Sequence, residues 1–139
     1  KQCINSIEAH TRQPVELIFV DNASQDGTQG YLQNLVTQRS NYKLIVNSEN
    51  RGFAAANNQG VAAASGKYVL LLNNDVLVAD GWLEKLQAAL EMNEQIGMVG
   101  PITNHISGRQ MITDVPYHDA TGFYEFAGKI SQQNSMRIT

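Results

Sequence analysis

A single cysteine, Cys3, in 139 residues excludes an internal disulfide framework and any multi-cysteine zinc site, and points to a reducing compartment. No apolar run approaches the roughly 20 residues that a membrane span requires, and no charged-then-apolar leader opens the sequence. Positive charge is scarce too: ten Lys and Arg against thirteen Asp and Glu leave a net charge of −3. That balance argues against a duplex-binding protein held by a broad basic footprint, so nucleic acid is not an expected partner. G-x-G-x-x-G, G-x-x-x-x-G-K-[ST] and G-x-S-x-G are all missing, and with them the signatures of dinucleotide oxidoreductases, P-loop nucleotidases and α/β-hydrolases. His10, His105 and His118 lie far apart without metal-ligand spacing and read as surface or capping residues. There is no internal repeat and no low-complexity tract.

What remains is an ordinary composition, 42% hydrophobic and 17% charged, suited to one globular domain with a real core. Apolar patterning predicts helix over residues 1–10, then strand, helix, strand, helix, strand, helix and strand, the alternation of an α/β fold. The strands fall at 15–20, 43–46, 67–72 and 96–99. Cys3, Ile4 and Ile7 share a helix face and are expected in the core. Tyr31, Leu32, Leu35 and Val36 make one apolar stripe, with Ser24 or Asp26 as N-cap. Small side chains crowd 54–64, which suits a helix packed close to a sheet or a ligand, and Gly66 is expected to stop it in a left-handed conformation. Trp82, Leu83, Leu86, Leu90 and Met92 form a further amphipathic stripe. From 102 to 139 the pattern decays into an irregular segment.

In a parallel sheet the strand ends collect along one edge, and here they are polar. Leu70-Leu71-Leu72 breaks into Asn73-Asn74-Asp75, where Asp75 can bind magnesium or manganese together with substrate phosphates, and Asn73 can add an amide oxygen. A turn capping the next helix explains the same three residues. Asp21 ends its strand as either a nucleobase or ribose contact or the anchor of the turn that follows. Arg51 beside Gly52 is either a diphosphate fork or a solvated surface arginine.

Taken in order, Val20-Asp21-Asn22-Ala23-Ser24-Gln25-Asp26-Gly27-Thr28, Asn50-Arg51-Gly52-Phe53-Ala54, Asn58-Gln59-Gly60, Ala64-Ser65-Gly66-Lys67-Tyr68-Val69 and Leu72-Asn73-Asn74-Asp75 closely resemble the family 2 glycosyltransferases. The likeness covers about residues 4–101. Gly97-Met98-Val99-Gly100-Pro101, with Asn104 and Ser107-Gly108, is similar to members of bacterial surface-polysaccharide pathways.

The resemblance implies a GT-A fold: a Rossmann-like, mostly parallel sheet flanked by helices, with a nucleotide-sugar-binding core at 1–101 and a segment at 102–139 leading toward acceptor binding. It implies a nucleoside-diphosphate sugar as donor, a glycan or lipid-linked acceptor, Mn2+ or Mg2+ as cofactor, and transfer with inversion in polysaccharide or glycan synthesis. Asp75 would be the metal ligand; Asp21, Asn50, Arg51, Asn58, Asn73 and Asn74 would contact the donor. Asn73 departs from the commoner first aspartate of the Asp-x-Asp motif and removes one negative charge. The family's base comes from an acidic motif further downstream, which nothing after Pro101 matches; Asp114, Asp119 and Glu125 are the only carboxylates to weigh.

Relatives also begin with an apolar strand ahead of the helix that starts here at Lys1, so the expectation is a fold truncated at both ends. Exposed strand edges would then favour pairing with a second copy. The expected location is cytoplasmic, at the inner face of the membrane in a longer protein. Two other readings use the same residues: a non-catalytic carbohydrate or protein interaction module, and a sugar-phosphate nucleotidyltransferase, which would need a Gly-rich loop after the first strand.

Overall fold

Residues rich in β-branched and aromatic side chains form two strands, β1 (Leu17–Asn22) and β2 (Tyr42–Asn47), which pair in parallel from Leu17↔Tyr42 to Asn22↔Asn47. The computed structural model describes residues 1–104 and 110–133; His105, Ser107 and Gly108, singled out above, lie outside the described residues. The remaining elements are α1 (Gln2–His10), α2 (Thr28–Thr37), α3 (Phe53–Ala63), α4 (Trp82–Glu91) and α5 (Ala120–Gln133). The class is α/β, as the alternation predicts. The chain divides into two compact units, residues 14–72 and residues 1–13 with those from 73 onward, and each is described by itself.

In the unit of residues 14–72, α2 joins β1 to β2 and buries Leu32 at 7% exposure, the centre of its apolar stripe. Its N-cap is Gly27, in a left-handed conformation at φ 84°, in place of the Ser24 or Asp26 expected. Asp26 still serves the helix start, because its Oδ1 accepts the Thr28 N–H at 3.1 Å. The period of two in each strand decides what faces α3. Val20 lies against Gly60, whose Cβ position would be 3.5 Å from Val20 Cγ2, while Lys43 Nζ donates to the Ala63 carbonyl and Asn47 meets Gln59. Gly60 thus lies close to β1, whereas Ala54, Ala55 and Ala62 of the small-residue run are exposed.

Two expected strands are not formed. Residues 67–72 and 96–99 have no regular secondary structure, and Leu71 and Met98 are 59% and 87% exposed. A strand exists through its ladder, and neither β1 nor β2 takes these runs as a neighbour among the described residues. Gly66 is not left-handed either; α3 ends at Ala63 with Ala64 extended at φ −74°, ψ 142°. What receives the chain there is Glu16, whose Oε1 accepts the Ser65 N–H, the Ser65 hydroxyl at 2.9 Å and the Gly66 N–H at 3.0 Å. Lys43 Nζ sits 2.7 Å from the other oxygen. These bonds, led by that to Lys43, lower the Glu16 pKa from 4.5 to about 2.

In the other unit, Cys3, Ile4, Ile7 and Val78 are buried, as the α1 stripe predicts. Ser6, 3% exposed, donates from Oγ to the Cys3 carbonyl at 2.7 Å and accepts the Val78 N–H at 3.3 Å. Trp82 Nε1 donates to Thr11 Oγ1 at 3.1 Å, and His10 pairs with Asp80 at 2.7 Å. The segment beyond 102 is not wholly irregular: α5 forms there, started by Asp119 Oδ1 accepting the Gly122 N–H at 2.8 Å. Phe123 and Phe126 at i, i+3 both meet Tyr117, with ring centroids 5.7 and 5.6 Å apart. That stripe is interrupted by Gly and polar residues, which hid the period. Among the described residues no helix is long and apolar enough to cross a membrane.

Two outcomes follow from these contacts. Because the folded-state pKa of Glu16 is depressed, its bonds stabilise the fold fully above pH 4.5 and lose that effect as pH falls through about 2. The melting temperature of Glu16→Gln should lie below wild type at pH 6, and the gap should close between pH 4.5 and 2. Ser6→Ala leaves the buried Val78 N–H without its acceptor, so urea titration should find a loss of about 1–3 kcal/mol with an unchanged m-value.

Candidate functional site

The parallel register brings the polar ends of β1 and β2 level, with Asp21 opposite Val46 and Asn22 opposite Asn47. Asp21 is the penultimate residue of β1 and is only 3% exposed. Its Oδ1 accepts the Ser24 N–H at 3.3 Å, across an Ala23 held at φ 67°. The other oxygen, Oδ2, is buried with no hydrogen-bond partner. A polar oxygen withdrawn from water without a donor is costly, and such an atom at a strand end is a feature that a ligand N–H or O–H would satisfy.

Beside it, Asn22 Nδ2 donates to Asn50 Oδ1 at 2.8 Å, and Asn22 Oδ1 accepts the Arg51 N–H at 3.0 Å. Asn50 Oδ1 also accepts the Gly52 N–H at 2.9 Å. Asn50 is thus engaged in shaping its own loop, whereas the Arg51 side chain and Asn58 are exposed. Gly52 caps α3 at φ 80°, ψ 165°, a region that is essentially glycine's alone. Asn22, Asn47 and Gln59 carry the hydrogen bonding around this loop and were not singled out from sequence; the one available signal was the run of carboxamides flanking each motif.

Asn73, Asn74 and Asp75 belong to the other unit and are exposed. Cys3 Sγ donates to the Asn73 carbonyl at 3.6 Å, so α1 holds the backbone that presents Asp75. Burial, reinforced by the Asp75 charge, pushes the Cys3 thiol pKa up. The Asp75 carboxylate has no hydrogen-bond or ion-pair partner among the described residues. No group of three or more His, Cys, Asp or Glu able to hold a metal occurs among them either. One unpaired exposed carboxylate fits a hard divalent cation that takes its other ligands from phosphate and water, and does not fit a cage built by protein alone. Of the three carboxylates weighed as base, Asp119 is engaged at the start of α5.

One unit is an α/β pair with a buried carboxylate at a parallel strand end, the other carries an exposed Asn-Asn-Asp turn, and comparison with known proteins gives the class: a glycosyltransferase family. The family described as glycosyl transferase family 2 matches residues 1–135, and the chain belongs to that family. It is 31% identical over 99 residues to an uncharacterized glycosyltransferase of Haemophilus influenzae, covering 71% of this chain and 31% of that protein. It is 31% identical over 87 residues to glycosyltransferase AglE of Haloferax volcanii, covering 61% and 29%. With glycosyltransferase GlyG of Streptococcus pneumoniae the identity is 28% over 105 residues, covering 75% and 35%. The chain therefore spans about a third of the length of these curated relatives. No solved structure matches it.

The Gly52 geometry yields a direct check. A Cβ at position 52 would meet nothing within 4 Å, so any cost of Gly52→Ala is backbone strain alone. Equilibrium unfolding should register about 1–3 kcal/mol of destabilisation, and an unchanged midpoint would mean that the loop relaxes to another conformation.

Proposed function

We propose that this chain is the donor-binding portion of an inverting, metal-dependent sugar transferase that moves a sugar from a nucleoside diphosphate to an acceptor hydroxyl, in polysaccharide or glycan synthesis. Membership of glycosyl transferase family 2 supports the reaction class. The observation that carries the donor reading is the buried, unpartnered Asp21 Oδ2, which suits a base N–H or a ribose hydroxyl. Arg51 meets the diphosphate with its planar fork. Asp75 would hold Mn2+ or Mg2+, and the amides of Asn73 and Asn74 would hydrogen-bond the donor phosphates.

In the transfer, the acceptor oxygen bonds to the anomeric carbon, the carbon–oxygen bond to the diphosphate breaks, and the electron pair leaves with the diphosphate. A divalent cation at Asp75 would stabilise that departing charge. The acceptor proton goes to a carboxylate base. No residue of the described chain is assigned that role. The acceptor is a glycan or a lipid-linked glycan, and the protein works on the cytoplasmic side of the membrane.

Isothermal titration of UDP, GDP and dTDP, with and without Mn2+, tests the reading. One nucleotide should bind in a Mn2+-dependent manner, Asp75→Ala should abolish the Mn2+ dependence, and Asp21→Asn should weaken binding about tenfold, equivalent to about 1.4 kcal/mol. A folded wild-type chain that binds none of the three would instead favour an interaction module on the same fold.

A further inference from the structure

Carboxamides from three separate segments interlock where β1, β2 and α3 meet. Asn47, 6% exposed at the end of β2, exchanges two amide bonds with Gln59 of α3, donating to Oε1 at 2.8 Å and accepting from Nε2 at 2.9 Å. Asn47 Nδ2 also donates to Asn22 Oδ1 at 3.1 Å, which uses both of its hydrogens. Asn22 Oδ1 receives the Arg51 N–H as well, while Asn22 Nδ2 faces Asn50 Oδ1 at 2.8 Å and the Gly52 carbonyl at 3.4 Å. Every amide here has one workable orientation. Rotating Asn47 by half a turn would set its donors against the Gln59 donors and its oxygen against the Asn22 oxygen.

The consequence travels in one direction along the bonds. Gln59 orients Asn47, Asn47 orients Asn22, and Asn22 fixes the backbone at Arg51 and the side chain of Asn50, which in turn holds Gly52. The loop of residues 48–52 is exposed throughout, so no apolar packing holds it. The amide lattice supplies that order instead, and a loop ordered beforehand binds without the entropy loss of being ordered by the ligand.

We infer that Asn22, Asn47 and Gln59 are positioning residues for nucleoside diphosphate binding, acting through the 48–52 loop on Arg51. The inference deepens the donor reading above and rests on it. They do not touch the donor; they determine the conformation in which Arg51 meets it.

The test is a double-mutant cycle of Asn22→Ala and Arg51→Ala, read by titration of UDP, GDP and dTDP with Mn2+, together with NMR exchange of the Arg51 N–H in the nucleotide-free chain. Each single variant should raise the Kd about tenfold, and the pair should bind no worse than the weaker single, because both remove the same contact. Gln59→Leu serves as a second entrance to the lattice, remote from Arg51, and should speed exchange at Arg51. The swap Asn47→Gln with Gln59→Asn conserves the amide pair and should recover affinity that Asn47→Gln alone loses. Wild-type Kd in Asn22→Ala, or effects that add in full, would overturn the inference while leaving the donor reading intact. If the wild type binds none of the nucleotides, the donor reading falls and overturns the inference with it, whatever the exchange at Arg51; if a nucleotide binds, unchanged exchange at Arg51 in both Asn22→Ala and Gln59→Leu overturns the inference alone.

Discussion

The in-register pairing of β1 with β2 is the constraint on which the candidate site depends. With Leu17 opposite Tyr42, the alternation of side chains carries Asn22 level with Asn47 on the face covered by α3, and leaves Asp21 on the opposite face. A slip of one residue would exchange the two faces, put Asn22 against a neighbour that cannot answer its amide, and turn Asp21 toward α3. Apolar contacts hold that register from the other end, where Phe19 and Tyr42 meet edge to face with centroids 5.6 Å apart. Packing of large side chains thus determines, several residues away, which polar groups can meet.

The two carboxylates at the centre of the functional reading differ in environment as much as in sequence position. Asp21 is buried and half satisfied, a group whose second oxygen lacks a donor. Asp75 is exposed and unpaired, on a backbone held by α1 through Cys3 and, three residues further on, Ser6. Burial suits a neutral hydrogen-bonding ligand, where a single well-placed donor matters. Exposure suits a hydrated cation that sheds few of its waters. One residue type, aspartate, thus stands in two different surroundings, and the partners proposed for the two differ accordingly.

Much of the chain was legible beforehand. The stripes of α1 and α2, the helix α4, and the parallel pair follow from periodicity and side-chain size, which act locally, although Met92, placed in the α4 stripe, is 62% exposed just past the helix end. The errors share a cause. Residues 67–72 and 96–99 have strand composition, yet strand formation requires a neighbour, and the identity of neighbours is not written in the run itself. The Gly66 expectation failed for a related reason: a distant carboxylate, Glu16, takes up the Ser65 and Gly66 amides that a left-handed cap would otherwise have served. The helix α5 was overlooked because Gly and polar residues break its stripe, although Asp119 and the ring of Tyr117 support it from outside the helix.

The motif residues themselves, Asp21, Asn50, Arg51, Asn58, Asn73, Asn74 and Asp75, and with them the family, were determined by the sequence, because order and spacing along a chain survive without coordinates. Tertiary structure alone decided their states: that Asp21 is buried with an orphan oxygen, that Asn50 is turned inward to its own loop, and that Asn22, Asn47 and Gln59 lock together. Hydrogen bonds between side chains 12 to 28 residues apart depend on register and helix placement, and these are properties of the packed sheet that no local pattern encodes.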